Sequence, residues 1–372
     1  MIINEELYER INFIKSIIKE EYRAQHNRPW IIGFSGGKDS TLVLHLVIES
    51  LLELPRSERV RNLHVIANDT LVESPIVQSY VDLILVTLKH SLSELCIPID
   101  IIKTKPSVNQ TFWVNLIGRG YPAPTRLFRW CTDRMKIQPT TNYIKQQVSA
   151  RGEVVLLLGV RRSESSARAA SAKRYDNGER LNRHNDIPGC LVFRPILELS
   201  TDDVWEYLAV MKPPWGGSYR SLIELYRNAA GGDCPIVIDP DAQPSCGSSS
   251  IRFGCWTCTV VEKDKSFRNS MEKGFEELEP MANFRDWLKS FCYNNTSNRL
   301  NKRRNGQDGL GPLTFEARKT VLTELLDLQI KVGISLITKE EIKRIEEIWQ
   351  EDASQQIIHQ ASHLLKLLED IK

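Results

Sequence analysis

The sequence has no dominant charge of either sign. Lys and Arg number 49 and Asp and Glu 47, a net charge of +2 over 372 residues, so the total carries none of the positive excess that marks a chain built wholly around nucleic acid. Long apolar runs are missing too. The opening MIINEELYERINFIKSIIKEEY breaks its apolar positions with charge every two or three residues, which fits neither a secretion signal nor a membrane-spanning segment. The expectation is a cytoplasmic protein with no membrane partner. There is no internal repeat, and 41% hydrophobic with 26% charged residues excludes wholesale disorder and a collagen-like chain. At roughly 100–200 residues per domain, the length predicts two or three domains. Against these absences stand eight cysteines. In a reducing compartment, clustered cysteines bind metal or do chemistry more often than they form disulfides.

Apolar periodicity organises the first half of the chain. Leu7, Ile11, Ile14, Ile17 and Ile18 are spaced for a helix, WIIGFS (30–35) reads as a buried strand, and a helix should start at Lys38. LHVIAND (63–69), IPIDIIK (97–103) and VVLLLG (154–159) read as further strands, with a helix from Ile76 to Leu95 between the first two. Such alternation predicts an α/β fold, a doubly wound and mostly parallel sheet whose ligands sit beyond the carboxyl ends of the strands. Composition shifts near 211, where Gly, Pro, Ser and Cys replace periodicity, and helical spacing returns from Gly274. The expected domains are 1–210, a Cys-rich segment at 211–270, and a helical region at 271–372. An exposed basic loop, RLNKRRNGQDGLGPL (299–313), interrupts the last of these.

The chemistry begins at Ser35-Gly36-Gly37-Lys38-Asp39-Ser40-Thr41, where the first strand gives way to a helix. Glycines let backbone amides approach phosphate oxygens, the helix start adds partial positive charge and Lys38 a full one. Ser35, Ser40 and Thr41 offer hydroxyls, and Asp39 is a candidate ligand for Mg²⁺. Walker spacing is absent, since that needs four residues between the first glycine and Gly-Lys. The run SGGKDS resembles instead the PP-loop of ATP pyrophosphatases. Arg129–Lys136 (RWCTDRMK), LLGVRRSESSARA (157–169) and FRPILELSTDDVWEYL (193–208) resemble successive motifs of that superfamily's phosphoadenylylsulfate reductase branch. The resemblance implies an adenine-nucleotide alpha-hydrolase-like domain that holds pyrophosphate while ATP is cleaved between its α and β phosphates. It also implies phosphate contacts for Arg161 and Arg162, and adenosine recognition near Asp69, which could equally be a cap.

The neutral total hides two basic stretches. From Arg119 to Lys136 five basic residues (Arg119, Arg126, Arg129, Arg134, Lys136) face one acid, and from Arg161 to His184 seven face three. Each is net +4. Arginine clusters beside a nucleotide loop suit a second, polyanionic substrate, with Arg129, Arg134, Lys136, Arg168 and Arg194 as candidate phosphate contacts. Phe112, Trp113, Tyr121, Phe128 and Trp130 are interleaved there and could stack on bases or fill a core.

Cys234, Cys246, Cys255 and Cys258 follow the spacing C-x11-C-x8-C-x2-C. Four thiols within 25 residues of aperiodic chain point to a [4Fe-4S] cluster or a zinc ion, and spacing does not choose between them. The run CP…PSCG…RFGCWTC followed by DKS resembles the DndC/SspD-like proteins of DNA phosphorothioation. That resemblance implies a [4Fe-4S] protein that spends ATP to put sulfur into the DNA backbone, with a cysteine desulfurase as persulfide donor and further subunits of a phosphorothioation complex as partners. Cys131 is either a sulfur carrier whose pKa Arg129 and Arg134 would lower or an alternative cluster ligand. Cys96, Cys190 and Cys292 are expected to be buried packing residues. The related alternatives are a phosphoadenylylsulfate or adenylylsulfate reductase, against which the cysteine-free tail counts, and a tRNA-thiolating enzyme.

Overall fold

The structure is a computed structural model that describes residues 3–164, 179–229, 254–260, 268 and 276–369. Its centre is a six-stranded sheet in the order β3-β2-β1-β4-β6-β5. The strands are β1 (Trp30–Gly33), β2 (Leu63–Asn68), β3 (Ile99–Thr104), β4 (Val154–Leu157), β5 (Leu181–Arg183) and β6 (Cys190–Phe193). All pairings are parallel except β5 with β6. The α/β, doubly wound and mostly parallel fold expected from the sequence is the fold observed. The last two strands escape a reading by apolar run because β5 is only three residues long and carries Asn182 and Arg183, and a turn around Pro188 and Gly189 lies between it and β6.

Why the sheet forms is visible in its residues. Trp30, Ile31, Ile32, Val65, Val155 and Leu157 are fully buried, as continuous apolar strands of a two-sided sheet must be. Helix α1 (Glu5–Arg23), capped by Asn4 whose side chain accepts from the Glu6 amide, lays Leu7, Ile11, Ile14 and Ile18 on α2 (Lys38–Leu52). Helix α3 (Pro75–Glu94) covers the β2–β3 side with Leu85, Leu88 and Leu92. It ends where Leu95 passes into Cys96, held at φ 54°. That left-handed turn swings the Cys96 side chain into solvent, which corrects the expectation of a packing role; Cys190 and Cys292 are buried as expected.

A second core lies beside the first. Phe112, Trp113, Leu116, Trp130 and Met135 pack with Trp256 and with helices at Glu279–Tyr293, Phe315–Val332 and Lys339–Glu369. Residues just past the compositional change at 211 belong elsewhere: Trp215, Tyr219, Leu222 and Tyr226 join the sheet's own core. No helix among the described residues is long and apolar enough to cross a membrane.

Candidate active site

In the strand order, β1 and β4 are neighbours whose connections leave in opposite directions, and the crevice beyond their carboxyl ends is where such sheets bind ligands. The loop Ser35–Gly37 occupies that point and α2 starts at Lys38. Gly36 has φ 74°, and a Cβ there would sit 2.5 Å from Val81 Cγ2, so both backbone and space demand glycine. Gly37 is the helix N-cap and supplies no side-chain cap, which leaves first-turn amides facing the crevice. Ser40 braces the turn: its hydroxyl donates to the Gly37 carbonyl at 3.0 Å and accepts from the Ser35 amide at 3.2 Å. Thr41 is fully buried behind it, while Ser35 is exposed at the rim.

Asp39 is already engaged. Its Oδ1 accepts from Arg161 Nε at 2.6 Å and its Oδ2 from Lys38 Nζ at 3.0 Å. Each oxygen of this candidate Mg²⁺ ligand thus accepts one hydrogen bond from a cationic side chain. Arg161 is 1% exposed and also donates to Ser163 Oγ at 2.8 Å and Thr201 Oγ1 at 3.1 Å. So deep a guanidinium orients the loop through Asp39. Arg162 pairs with Glu198 at 2.6 Å, and Arg194 donates to Asn182 Oδ1 at 2.9 Å. Arg168 lies outside the described residues.

Two contributors to the loop were not singled out in the sequence. Gly159, at the end of β4, faces the Asp39 carbonyl: a Cβ would be 2.7–2.8 Å from the Asp39 carbonyl carbon and oxygen and the Ser40 amide. A glycine closing an apolar strand opposite a phosphate loop is the signal that could have found it. Tyr226 comes from the segment after 211, and its hydroxyl accepts from the Lys38 amide at 3.3 Å while its ring centre lies 5.6 Å from Lys38 Nζ. Nothing local in the sequence connects those two positions.

At the end of β2, Asp69 is buried, accepts from the Leu71 amide at 2.9 Å and faces Lys105 at 3.4 Å. It caps a turn in which Leu71 takes φ 64°. This turn leads directly to the cysteines. Glu73 pairs with Cys255 as an antiparallel bridge, the Trp256 amide donates to the Val72 carbonyl at 3.0 Å, and Thr70 Oγ1 lies 3.3 Å from Cys255 Sγ. The Cys258 amide closes back on the Cys255 carbonyl at 3.0 Å, and Arg285 Nε donates to the Cys258 carbonyl at 2.8 Å. Thr259 is tied to the Pro124 carbonyl at 2.6 Å.

Cys131 belongs to the same cluster. Burial, and then the charge of nearby Cys258, raise its pKa. Arg129 is exposed and Arg134 is turned to Gln110 and Tyr121, so the expected lowering of the Cys131 pKa by flanking arginines is corrected. Cys255 is pushed up to about 12 by burial and by Glu73, against a downward pull from Lys136. Burial works against the charge of Lys136, yet Cys255, Glu73 and Cys131 hold the ammonium on, with Glu73 Oε1 at 3.4 Å. Lys136 thus stands with the thiols and not among the surface arginines. Phe112, Trp113 and Trp130 are core residues, which leaves Tyr121 and Phe128 as the aromatics able to meet a ligand. Cys234 and Cys246 lie outside the described residues.

A family model for the phosphoadenosine phosphosulfate reductase domain matches residues 29–261. The chain belongs to that family. The matched span of this phosphoadenosine phosphosulfate reductase domain runs from β1 through the Cys255–Cys258 pair. Two proteins of Methanocaldococcus jannaschii are similar to it: uncharacterized protein MJ0066, 27% identical over 274 residues, and uncharacterized protein MJ0973, 29% identical over 195. These alignments cover 73% and 52% of this chain but 43% and 39% of the relatives, so the chain spans less than half the length of either. Solved structures give distant likenesses. The U34-tRNA thiolase NcsA of Methanococcus maripaludis with its [4Fe-4S] cluster has 13% identity and a TM-score of 0.37, covering 76% of this chain and 80% of that one. The phosphoadenylyl-sulfate reductase of Candida auris in its phosphate complex has 11% identity and a TM-score of 0.33, covering 56% and 87%.

Proposed function

We propose that this chain is an ATP pyrophosphatase and sulfurtransferase that puts sulfur into the DNA backbone. The observation that carries the reading is the six-residue turn Asp69–Ser74, which leaves the nucleotide crevice at one end and pairs with the Cys255–Cys258 segment at the other. In this reading the phosphate loop and the thiols are linked by one short turn, which sulfur insertion would use and ATP cleavage alone would not.

A non-bridging phosphate oxygen leaves poorly, so activation comes first. The backbone phosphate attacks the α-phosphorus of ATP and pyrophosphate departs, its charge met by Lys38 and by the first-turn amides of α2. Arg161, through Asp39, sets the position of that turn. The terminal sulfur of a persulfide, supplied by a cysteine desulfurase, then attacks the activated phosphorus, and AMP leaves with the oxygen. A second thiol reduces the resulting S–S bond, forming a disulfide and leaving P–S. Mg²⁺ would travel with the triphosphate.

Among the described residues no three potential ligands stand close enough together to hold a metal, but Cys131 lies near Cys258, and Lys136 near Cys255 and Cys131, and with Cys234 and Cys246 these thiols would hold a [4Fe-4S] cluster. When bound, such a cluster supplies iron able to bind sulfur. The position of Cys131 beside Cys258 favours a ligand role over a carrier role. Anaerobic purification with iron and sulfide analysis tests this, and C131S should lose most of its iron and its visible absorbance. Full iron content in that variant would sink the ligand role. The reaction itself is tested by supplying ATP, desulfurase, cysteine, a thiol reductant and DNA, then seeking phosphorothioate dinucleotides by mass spectrometry. Sulfur in tRNA bases and none in DNA would reassign the chain to tRNA thiolation.

A further inference from the structure

Beside Cys131 is a cationic surface that the reaction steps proposed above do not use. The loop 299–313 is closed by two antiparallel bridges, Arg299 with Leu313 and Lys302 with Asp308, and is fastened to the body where the Leu313 amide donates to the Gly120 carbonyl at 2.7 Å. Its tip is thereby held over residues 119–121. Arg304 donates to the Arg119 carbonyl at 2.6 Å, and its guanidinium lies 4.4 Å from the centre of the Tyr121 ring. Arg134 approaches the same ring at 5.3 Å. Tyr121 is therefore contacted by two guanidinium groups, and Arg119 stands alongside.

None of these three arginines is paired with a carboxylate among the described residues. Arg119 binds amide oxygens of Asn109 and Asn115, Arg134 binds Gln110 and the Tyr121 hydroxyl, and Arg304 binds a carbonyl and a ring. The crowding is strong enough to lower the Arg119 pKa, burial contributing first and then its neighbours Arg344, Arg134 and Arg304. Guanidinium groups with no carboxylate partner are suited to bidentate recognition of phosphate.

A second feature makes the surface specific. Thr125 and Phe128 exchange backbone hydrogen bonds at 3.2 Å, which folds Arg126 and Leu127 into a projecting tip. Leu127 is 100% exposed and Phe128, edge-on to Tyr121 at 6.2 Å, is 45% exposed. An isolated apolar tip between exposed arginines has the chemistry of a side chain that enters between base steps while its neighbours hold phosphates. Through Tyr121 the surface reaches Trp130, 5.5 Å away ring to ring, and so the position before Cys131.

We infer that Tyr121, Arg119, Arg134 and Arg304 form the seat of a DNA backbone, with the Leu127–Phe128 tip as a wedge that opens the base stack and turns one phosphate toward the thiols. The inference rests on the DNA reading proposed above.

The full chain is titrated against fluorescent duplex DNA, single-stranded DNA and tRNA at several salt concentrations, comparing wild type with R304E, L127D and K89E. Lys89 is an exposed position on α3 and receives the same charge change as Arg304. R304E should weaken DNA binding about tenfold and reduce the slope of log affinity against log salt by roughly 0.7–0.9 for each phosphate that is no longer neutralised, with K89E close to wild type. L127D should weaken duplex binding more than it changes that slope. Equal effects of R304E and K89E, or no DNA binding by wild type, would overturn the surface, and tighter binding to tRNA would overturn its DNA occupant. The two readings separate cleanly. The expected binding pattern without phosphorothioate product would discard the function and keep the surface, whereas undiminished product formation by R304E at subsaturating DNA would do the reverse.

Discussion

The phosphate loop and the cysteine pocket are built in opposite ways. The loop is seven consecutive residues, set by one strand end, two glycines and a helix start, and the groups that brace it from afar are few: Arg161, Gly159 and Tyr226. The pocket is assembled from pieces far apart in the chain, the turn at 70–74, the segment around Cys131, residues 254–260 and the helix at Glu279–Tyr293. One site is local and braced, the other is composite. A local site announces itself in sequence and fails through single side chains, whereas a composite site depends on the packing that brings its parts together.

The largest effect separating the two should come from K38A. Loss of the one full positive charge at the helix start should cut pyrophosphate release by about 100-fold or more while iron content stays at the wild-type level. Undiminished release would remove the loop from the mechanism. Next is R161A, which strips the partner from Asp39 at a buried position and should cost about 3–5 kcal/mol, read as a fall in melting temperature. R162A, on an exposed pair, should cost within about 1 kcal/mol, and equal losses in the two variants would break the distinction between brace and surface.

A smaller effect concerns acid. Burial alone would raise the Glu49 carboxyl, but hydrogen bonds from His45 and Tyr207 and the charge of Lys15 hold it down to about 2. A depressed folded pKa means stability that is present above pH 4.5, the ordinary value, and is lost as pH falls toward about 2. The contribution is at most about 3 kcal/mol. E49Q should flatten the acid limb of a melting-temperature profile over that window, and an unchanged limb would place the acid sensitivity elsewhere. The smallest effect is C96S, which should leave stability within about 0.5 kcal/mol and iron unchanged. Lost iron in that variant would extend the metal site to a residue outside the pocket.

What the sequence revealed follows from the same contrast. Strands β1 to β4 and helices α1 to α3 were legible because each is a continuous apolar pattern, and the phosphate loop because its parts are adjacent. The convergence of Cys131 with Cys255 and Cys258 was open to suspicion but not to derivation, since more than 120 residues separate them and only the second core closes the distance. Tyr226 gave no sign at all. Arg161 was legible as a charge but not as a buried brace, because charge is written in the sequence and burial is not. Cys96 failed for the converse reason: apolar neighbours suggested burial, and a left-handed backbone turn decided against it.

Arg161 has one more consequence, for the order in which the protein is made. Its guanidinium reaches Asp39 near the start of the chain and Thr201 near the end of the sheet domain. A nascent chain that ends at Val160 holds the whole phosphate loop and four of the six strands, yet not the Arg161 side chain that fixes Asp39. The nascent chain holds the motif without its brace. The fixed geometry of the loop is thus tied to the arrival of Arg161 and Thr201, so a truncated or stalled product carries a recognisable motif whose Asp39 lacks its arginine partner.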